Sequence, residues 1–132
     1  MARALILYDA DCGLCQWLLA LLLRWDRDHR LQPVALQSDR ANDLLADLTG
    51  DQRMASWHLV LDGERFSAGA ALPPLLRLLP GGHAPAALFA HMPKLTERGY
   101  RWVAGHRSAL GKLVPDRAKQ RAVERVRSHA AR

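Results

Sequence analysis

The sequence has little of several features that would assign it to a specialised class of protein. Its 132 residues include only two cysteines, so a fold held together by several disulfides is excluded. The uncharged, leucine-rich stretch 12–23 is shorter than the ~20 residues that a membrane-spanning helix needs. We find no internal repeat and no low-complexity tract, and apolar and charged residues make up 49% and 24%, as in folded globular proteins. We expect one domain, since domains usually hold ~100 to 150 residues.

The two cysteines are the chemically informative residues. No secretory leader is apparent, because the apolar run 4–7 is followed by Asp9 and Asp11 and by no cleavage-type segment. We therefore expect a cytoplasmic location, where thiols are kept reduced. A bridge between Cys12 and Cys15 would close too short a loop to remove much chain entropy. The pair is thus predicted to be redox-active or metal-binding rather than structural.

The net charge of +6 is concentrated in the C-terminal part. Residues 1–92 carry 8 Arg against 10 Asp or Glu, a balance of −2, whereas residues 93–132 carry 11 Lys or Arg against 3 acidic residues, a balance of +8. One alternative function is therefore a non-enzymatic binding module that meets an acidic partner or nucleic acid. No aromatic residue follows Trp102, so bases would have no stacking platform, and we expect nucleic-acid binding to be unlikely. The simpler interpretation is a solvated helix or a frayed tail. The cations concerned are Arg117, Lys119, Arg121, Arg125, Arg127 and Arg132.

Hydrophobic patterning predicts the series strand-helix-strand-helix-strand-strand-helix. The Asp62-Gly63 pair predicts a hairpin turn, and Gly50 is predicted to end the second helix. Pro73 and Pro74 fit only in the first turn of a helix. Strands are expected at 5–8, 33–37, 57–61 and 65–67, and helices from the cysteine motif to residue 25, from about 38 to 48, and over 70–79.

This order is that of a thioredoxin-like core, an α/β fold with a mixed sheet. We expect residues 1–82 to form that core. Prolines and glycines recur beyond Gly82 and predict short helices rather than one long rod. Residues 83–132 are thus expected to form a basic helical extension packed on the core, within a single domain.

Cys12 lies at the predicted start of the first helix. Free backbone N–H groups and the helix dipole stabilise an anion there, so the Cys12 thiolate should be favoured. Cys15 follows after nearly one turn and can resolve a mixed disulfide. Asp9 and Asp11 oppose a nearby thiolate, but either carboxylate could accept the proton of Cys15. Alternatively, Asp11 caps the helix and Asp9 satisfies amides of the turn.

The apolar strand and cysteine motif at 5–15, the segment 35–38, the hairpin at Asp62-Gly63 and the segment 100–107 carry a resemblance, over roughly residues 4–111, to the DCC family of thiol-disulfide oxidoreductases. Residues 5–15 are similar to its opening signature, an apolar strand followed by Tyr/Phe-Asp-Gly-x-Cys-x-x-Cys, with Ala10 in place of the usual Gly. Residues 100–107 resemble a later Tyr-x-x-x-Ala-x-Asn-Arg segment, with His106 in place of the Asn. From the residues alone, Tyr100 and Arg107 are expected to pack a C-terminal helix onto the domain, although an anion-binding role for Arg107 or His106 stays open.

The resemblance implies a thioredoxin-like fold and disulfide exchange at Cys12 and Cys15. The expected partners are a disulfide-containing protein or a small thiol, with an external electron donor. We expect no metal and no organic cofactor. Studied members of the wider thioredoxin superfamily have a cis-proline just before the third core strand, and residues 54–58 contain none. Trp57 or His58 is therefore predicted to face the cysteines and contact the substrate.

Two further alternatives start from the same residues. An apolar strand followed by Asp9-x-Asp11 also resembles the first motif of haloacid-dehalogenase-like phosphatases, which would need Mg²⁺. The lysine that such enzymes need is not found outside the basic C-terminal part. A Cys-x-x-Cys pair is also half of a zinc site, but the six histidines are scattered or too widely spaced to supply the other half.

Overall fold

The structure is a computed structural model that describes residues 4–54 and 56–130, with the side chain of Ala130 excepted. Arg132, which belongs to the predicted basic end, lies outside these residues. Within the described ranges, no helix is long and apolar enough to cross a membrane.

A four-stranded mixed sheet forms the centre of the fold. The strand order is β2-β1-β3-β4. β1 pairs in parallel with β2 and antiparallel with β3, and β4 closes the hairpin with β3. A central parallel strand is covered on both faces, which explains the continuous apolar run of β1. The strands are β1 (Ala4–Tyr8), β2 (Leu31–Ala35), β3 (His58–Leu61) and β4 (Glu64–Ser67).

The helices complete the predicted series and confirm the thioredoxin-like α/β class. Ile6 and Tyr8 on one face of β1 belong to the main core, whereas Leu7 on the other face belongs to a smaller cluster with Val34 and Leu36. As predicted, prolines occupy the first turn of α4. The helices of this part are α1 (Gly13–Trp25), α2 (Asp39–Leu44), α3 (Gly50–Met54) and α4 (Leu72–Leu78), with a 3-10 turn at Ala68–Ala71 before α4.

Several predicted boundaries were wrong: β2 spans 31–35 rather than 33–37, and α2 ends at Leu44 rather than near residue 48. β2 begins at Leu31 rather than at Pro33, because the strand pairs along its whole length with β1. Gly50 begins α3 and does not end the preceding helix. The reason is a reciprocal cap in which Thr49 Oγ1 accepts from the Gln52 amide at 3.1 Å and Gln52 Oε1 accepts from the Thr49 amide at 3.0 Å.

The C-terminal part consists of short helices, as predicted. α8 packs on α1 and β2 and contributes Ala122 and Val126 to the main core. α6 is fixed to the 3-10 turn, where the Gly69 amide donates to Glu97 Oε2 at 3.0 Å. These contacts hold the basic part of the chain against the core. Its helices are α5 (His83–His91), α6 (Pro93–Gly105), α7 (Arg107–Lys112) and α8 (Asp116–Ala130).

Candidate active site

Cys12 and Cys15 lie at the start of α1, just beyond the carboxyl end of β1. Cys12 is the N-cap residue, and its Sγ atom accepts from the Cys15 amide at 3.2 Å. The two Cα atoms are 5.2 Å apart and the sulfurs are joined in a disulfide. Both residues are partly exposed. The Cα separation lies within the range of roughly 4.4 to 6.8 Å usual for disulfides, so the backbone here accommodates the bridge.

The loop before Cys12 is held by a side chain from the end of β2. Asp9 Oδ1 accepts from the Asp11 amide at 2.9 Å and from Gln37 Nε2 at 2.8 Å. Gln37 Oε1 in turn accepts from the Ala10 amide at 3.1 Å, and Gln37 Nε2 lies 3.3 Å from Asp11 Oδ2. Asp9 thus satisfies a turn amide, whereas the cap is Cys12 and not Asp11. Ala10 is not among the described residues with a positive φ, so it fits without the freedom of the Gly usual there.

An apolar cavity of about 180 Å³ opens beside Cys15. Most of its walls are hydrocarbon, and its polar or reactive members include Asp9, Cys15, Ser56 and Arg107. Tyr100 also lines the cavity. Burial raises the pKa of its hydroxyl, although a hydrogen bond with the Trp57 backbone acts in the opposite direction. Residues lining the cavity come from β1, α1, α6 and the segment before β3, and include Tyr8, Leu14, Leu18, Leu22, Met54, Trp57, Val103 and Ala104.

Arg107, for which the sequence favoured a packing role, lies beside the cysteines. Its Nη1 atom lies 4.0 Å from Cys15 Sγ, and its Nε atom donates to the Ala104 carbonyl at 3.2 Å. Tyr100 and Val103 from α6 and Arg107 from the start of α7 all line the cavity. This arrangement brings the guanidinium to the cysteines, which was the open alternative for Arg107. His106 instead stacks on Trp102, with ring centroids 4.5 Å apart.

The structure separates the two residues predicted to contact substrate. Trp57 lines the cavity beside Cys15. His58 is only 2% exposed, and its two ring nitrogens lie 2.6 Å from Ser67 Oγ and 2.9 Å from the Arg53 carbonyl. Burial lowers the pKa of His58, against the opposing effect of the Arg53 carbonyl. Both ring nitrogens of His58 therefore face partners inside the fold, and of these two residues Trp57 alone lines the cavity.

Across residues 4–54 and 56–130, no group of three or more His, Cys, Asp or Glu side chains is placed to hold a metal ion. Cys12 and Cys15 thus lack a second pair of ligands there, and they are bonded to each other.

A Cys-x-x-Cys disulfide at the start of the first helix of a thioredoxin-like fold defines the class of thiol-disulfide oxidoreductases. Residues 6–113 match the DCC1-like thiol-disulfide oxidoreductase family, and the chain belongs to this family. The resemblance seen in the sequence is thereby confirmed, and the protein is an oxidoreductase of thiols and disulfides rather than a phosphatase. No curated protein and no solved structure gives a significant match. The matched region ends before α8 begins.

Proposed function

We propose that the protein exchanges its Cys12/Cys15 dithiol with disulfides of proteins or small molecules, with Cys12 attacking and Cys15 resolving. The observation that carries this assignment is the position of Cys12 Sγ at the N-cap of α1, where it accepts from the Cys15 amide. The same N–H group and the helix dipole would stabilise the Cys12 thiolate in the reduced protein.

In the first step, the Cys12 thiolate attacks one sulfur of the substrate disulfide. A Cys12–substrate bond forms, the substrate S–S bond breaks, and the other half leaves as a thiolate that takes a proton from solvent. The substrate would contact Trp57, which precedes β3 and lines the cavity beside Cys15.

In the second step, Cys15 loses its proton and attacks Cys12 Sγ. The Cys12–Cys15 bond forms and the second half of the substrate leaves as a thiolate, so the substrate gains two electrons and two protons overall. Asp9 lines the same cavity as Cys15 and is the proton acceptor, directly or through one water. Asp11 lines the groove beside Cys12 but not the cavity beside Cys15. It therefore contributes less than Asp9 to this proton transfer. Arg107 stabilises the Cys15 thiolate across 4.0 Å.

An external dithiol or thiol reduces the disulfide again, and no metal or organic cofactor takes part in these steps. The division into a core at 1–82 and a basic extension at 83–132 within one domain is part of the proposal. It is supported by Tyr100 and Arg107, since both come from the extension and line the cavity beside Cys15. The cytoplasmic location stays a prediction.

The test compares disulfide-reductase turnover of the wild type, Cys12→Ser and Cys15→Ser, with dithiothreitol as electron donor. Cys12→Ser should lose activity, whereas Cys15→Ser should accumulate a mixed disulfide that mass spectrometry detects. The chain has no other cysteine. The double variant Cys12→Ser/Cys15→Ser therefore has no thiol and measures the uncatalysed background rate. Unchanged turnover in both single variants would contradict the proposal and favour the basic end as a binding module.

A further inference from the structure

We infer that the enzyme prefers small disulfides that carry carboxylates, which bind in a cationic groove beside Cys12. This inference rests on the proposed function and names its substrate class. The groove has a volume of about 370 Å³, within the range of roughly 300 to 1,000 Å³ found for small-molecule sites. We call it the basic groove; its lining residues are Asp9, Asp11, Cys12, Gly13, Leu14, Arg107, Ser108, Gly111, Lys112 and Lys119.

Three cations line the basic groove. Arg107 and Lys112 mark the two ends of α7, and Lys119 lies in the first turns of α8. Within the part of the chain that the structure describes, neither lysine nor Arg107 is in an ion pair. An anionic ligand would therefore add a charge of opposite sign beside these three side chains.

Lys119 is held over the start of α1 by close packing. A Cβ atom placed on Gly13 would lie 3.2 Å from Lys119 Cδ and 3.9 Å from its Cε. Gly13 therefore leaves room for the lysine stem directly beside Cys12. α8 itself is anchored by Ala122 and Val126 in the core, so the position of Lys119 is set by a packed helix and not by a mobile tail.

Lys112 is positioned by the approach of α7 to α1. A Cβ on Gly111, the neighbour of Lys112, would lie 3.8 Å from Leu14 Cβ, and Gly111 is buried. This contact brings the C-terminal end of α7 to the groove that Cys12 lines.

Two carboxylates also line the groove, so its lining carries charges of both signs. Asp9 and Asp11 are tied to Gln37 at the end of β2, whereas the three cations come from α7 and α8. A carboxylate of the substrate would be repelled by the acidic side and attracted by the lysines. Because Cys12 lines the same groove, the disulfide of a small ligand held in this way would lie near Cys12 Sγ.

The reaction is the exchange described above with such a substrate. The Cys12 thiolate forms a bond to one substrate sulfur as the substrate S–S bond breaks, and the other substrate half leaves as a thiolate that takes a proton from solvent. Cys15 then displaces the second half, and dithiothreitol supplies the two electrons for the next cycle.

The test uses glutathione disulfide as the anionic probe and 2-hydroxyethyl disulfide as the neutral one. The quantity measured is the ratio of their kcat/KM values for the full-length enzyme. We expect the wild type to prefer the anionic probe and this preference to decline with added salt. In the Lys112→Gln/Lys119→Gln variant this ratio should be roughly five- to tenfold lower than in the wild type, mainly because KM for the anionic probe rises. Lys94→Gln makes the same chemical change on α6, outside the groove, and should keep the wild-type ratio.

The other outcomes are also decisive. If the double variant slows both probes equally, the lysines act on the Cys12 thiolate and the inference is overturned. The inference also fails if the wild type turns over both probes with equal, salt-independent kcat/KM, or if it prefers protein disulfides. If the wild type reduces no disulfide at all, the proposed function itself has failed. A Lys119→Glu variant checks the charge directly, because it should weaken the anionic preference further than the single Lys119→Gln variant does.

Discussion

Arg107 Nη1 lies 4.0 Å from Cys15 Sγ, although 92 positions separate the two residues along the chain. A guanidinium at this distance favours the thiolate form of the nearby sulfur. Because Arg107 begins α7, the helical extension reaches the reactive pair of the core. The site therefore depends on both parts of the chain.

We predict that Arg107→Gln lowers kcat by roughly three- to tenfold at neutral pH, since the Cys15 thiolate loses its cation. The loss should shrink as the pH rises, because Cys15 then ionises without help, and Arg107→Lys should retain part of the activity. The measurement is the pH profile of turnover with the neutral disulfide. Arg98→Gln on the exposed face of α6 is the matched control. A loss that is equal at every pH would indicate that Arg107 acts only in packing.

Asp9→Asn tests the proton acceptor. We expect kcat to fall by roughly tenfold or more, because the amide cannot accept a proton but keeps an oxygen for the Asp11 amide. The mixed disulfide on Cys12 should accumulate during turnover, as seen by acid quench and mass spectrometry. Asp28→Asn, at an exposed position outside the site, should behave as the wild type. A slower reaction without that intermediate would contradict the assigned role of Asp9.

The thioredoxin-like core could be predicted from the sequence because its signals are local. The apolar run of β1, the cysteine motif and the Asp62-Gly63 turn each specify a short segment, and the order of segments specifies the sheet. The cap formed by Thr49 and Gln52 was also a local signal, but it was missed because Gly50 was interpreted as a helix end.

Much of the site could not be predicted, because it depends on contacts between distant segments. Gln37 reaches Asp9 because β1 and β2 are parallel and end at the same edge of the sheet. Arg107 and Lys119 reach the cysteines because of how α7 and α8 pack on α1. Helical spacing indicates which residues share a face, but not which other element that face will meet.

His58 predicts a pH dependence of stability. Burial lowers the pKa of His58 below its model-compound value of 6.5, so the unfolded chain binds the proton more readily than the folded one. The free energy of unfolding should therefore decrease as the pH falls below about 6.5 towards the lower folded pKa. Urea unfolding of the wild type at about pH 7.5 and pH 5.5 measures this slope.

His58→Gln should have a smaller slope, whatever its effect on stability at neutral pH. His91→Gln, at an exposed position, is the control and should keep the wild-type slope. If the slopes of the wild type and His58→Gln coincide, proton uptake by His58 does not account for the pH dependence.

Val126→Ala tests whether α8 belongs to the folded core. Val126 is fully buried in the main cluster, so the truncation should reduce the free energy of unfolding by about 2 kcal/mol. Leu113→Ala removes a larger side chain, but Leu113 is 79% exposed and the change should cost less than about 0.5 kcal/mol. Chemical denaturation of both variants gives the comparison. Equal, small effects would mean that α8 does not contribute to global stability, and the support that it gives to Lys119 over Gly13 would then be lost as well.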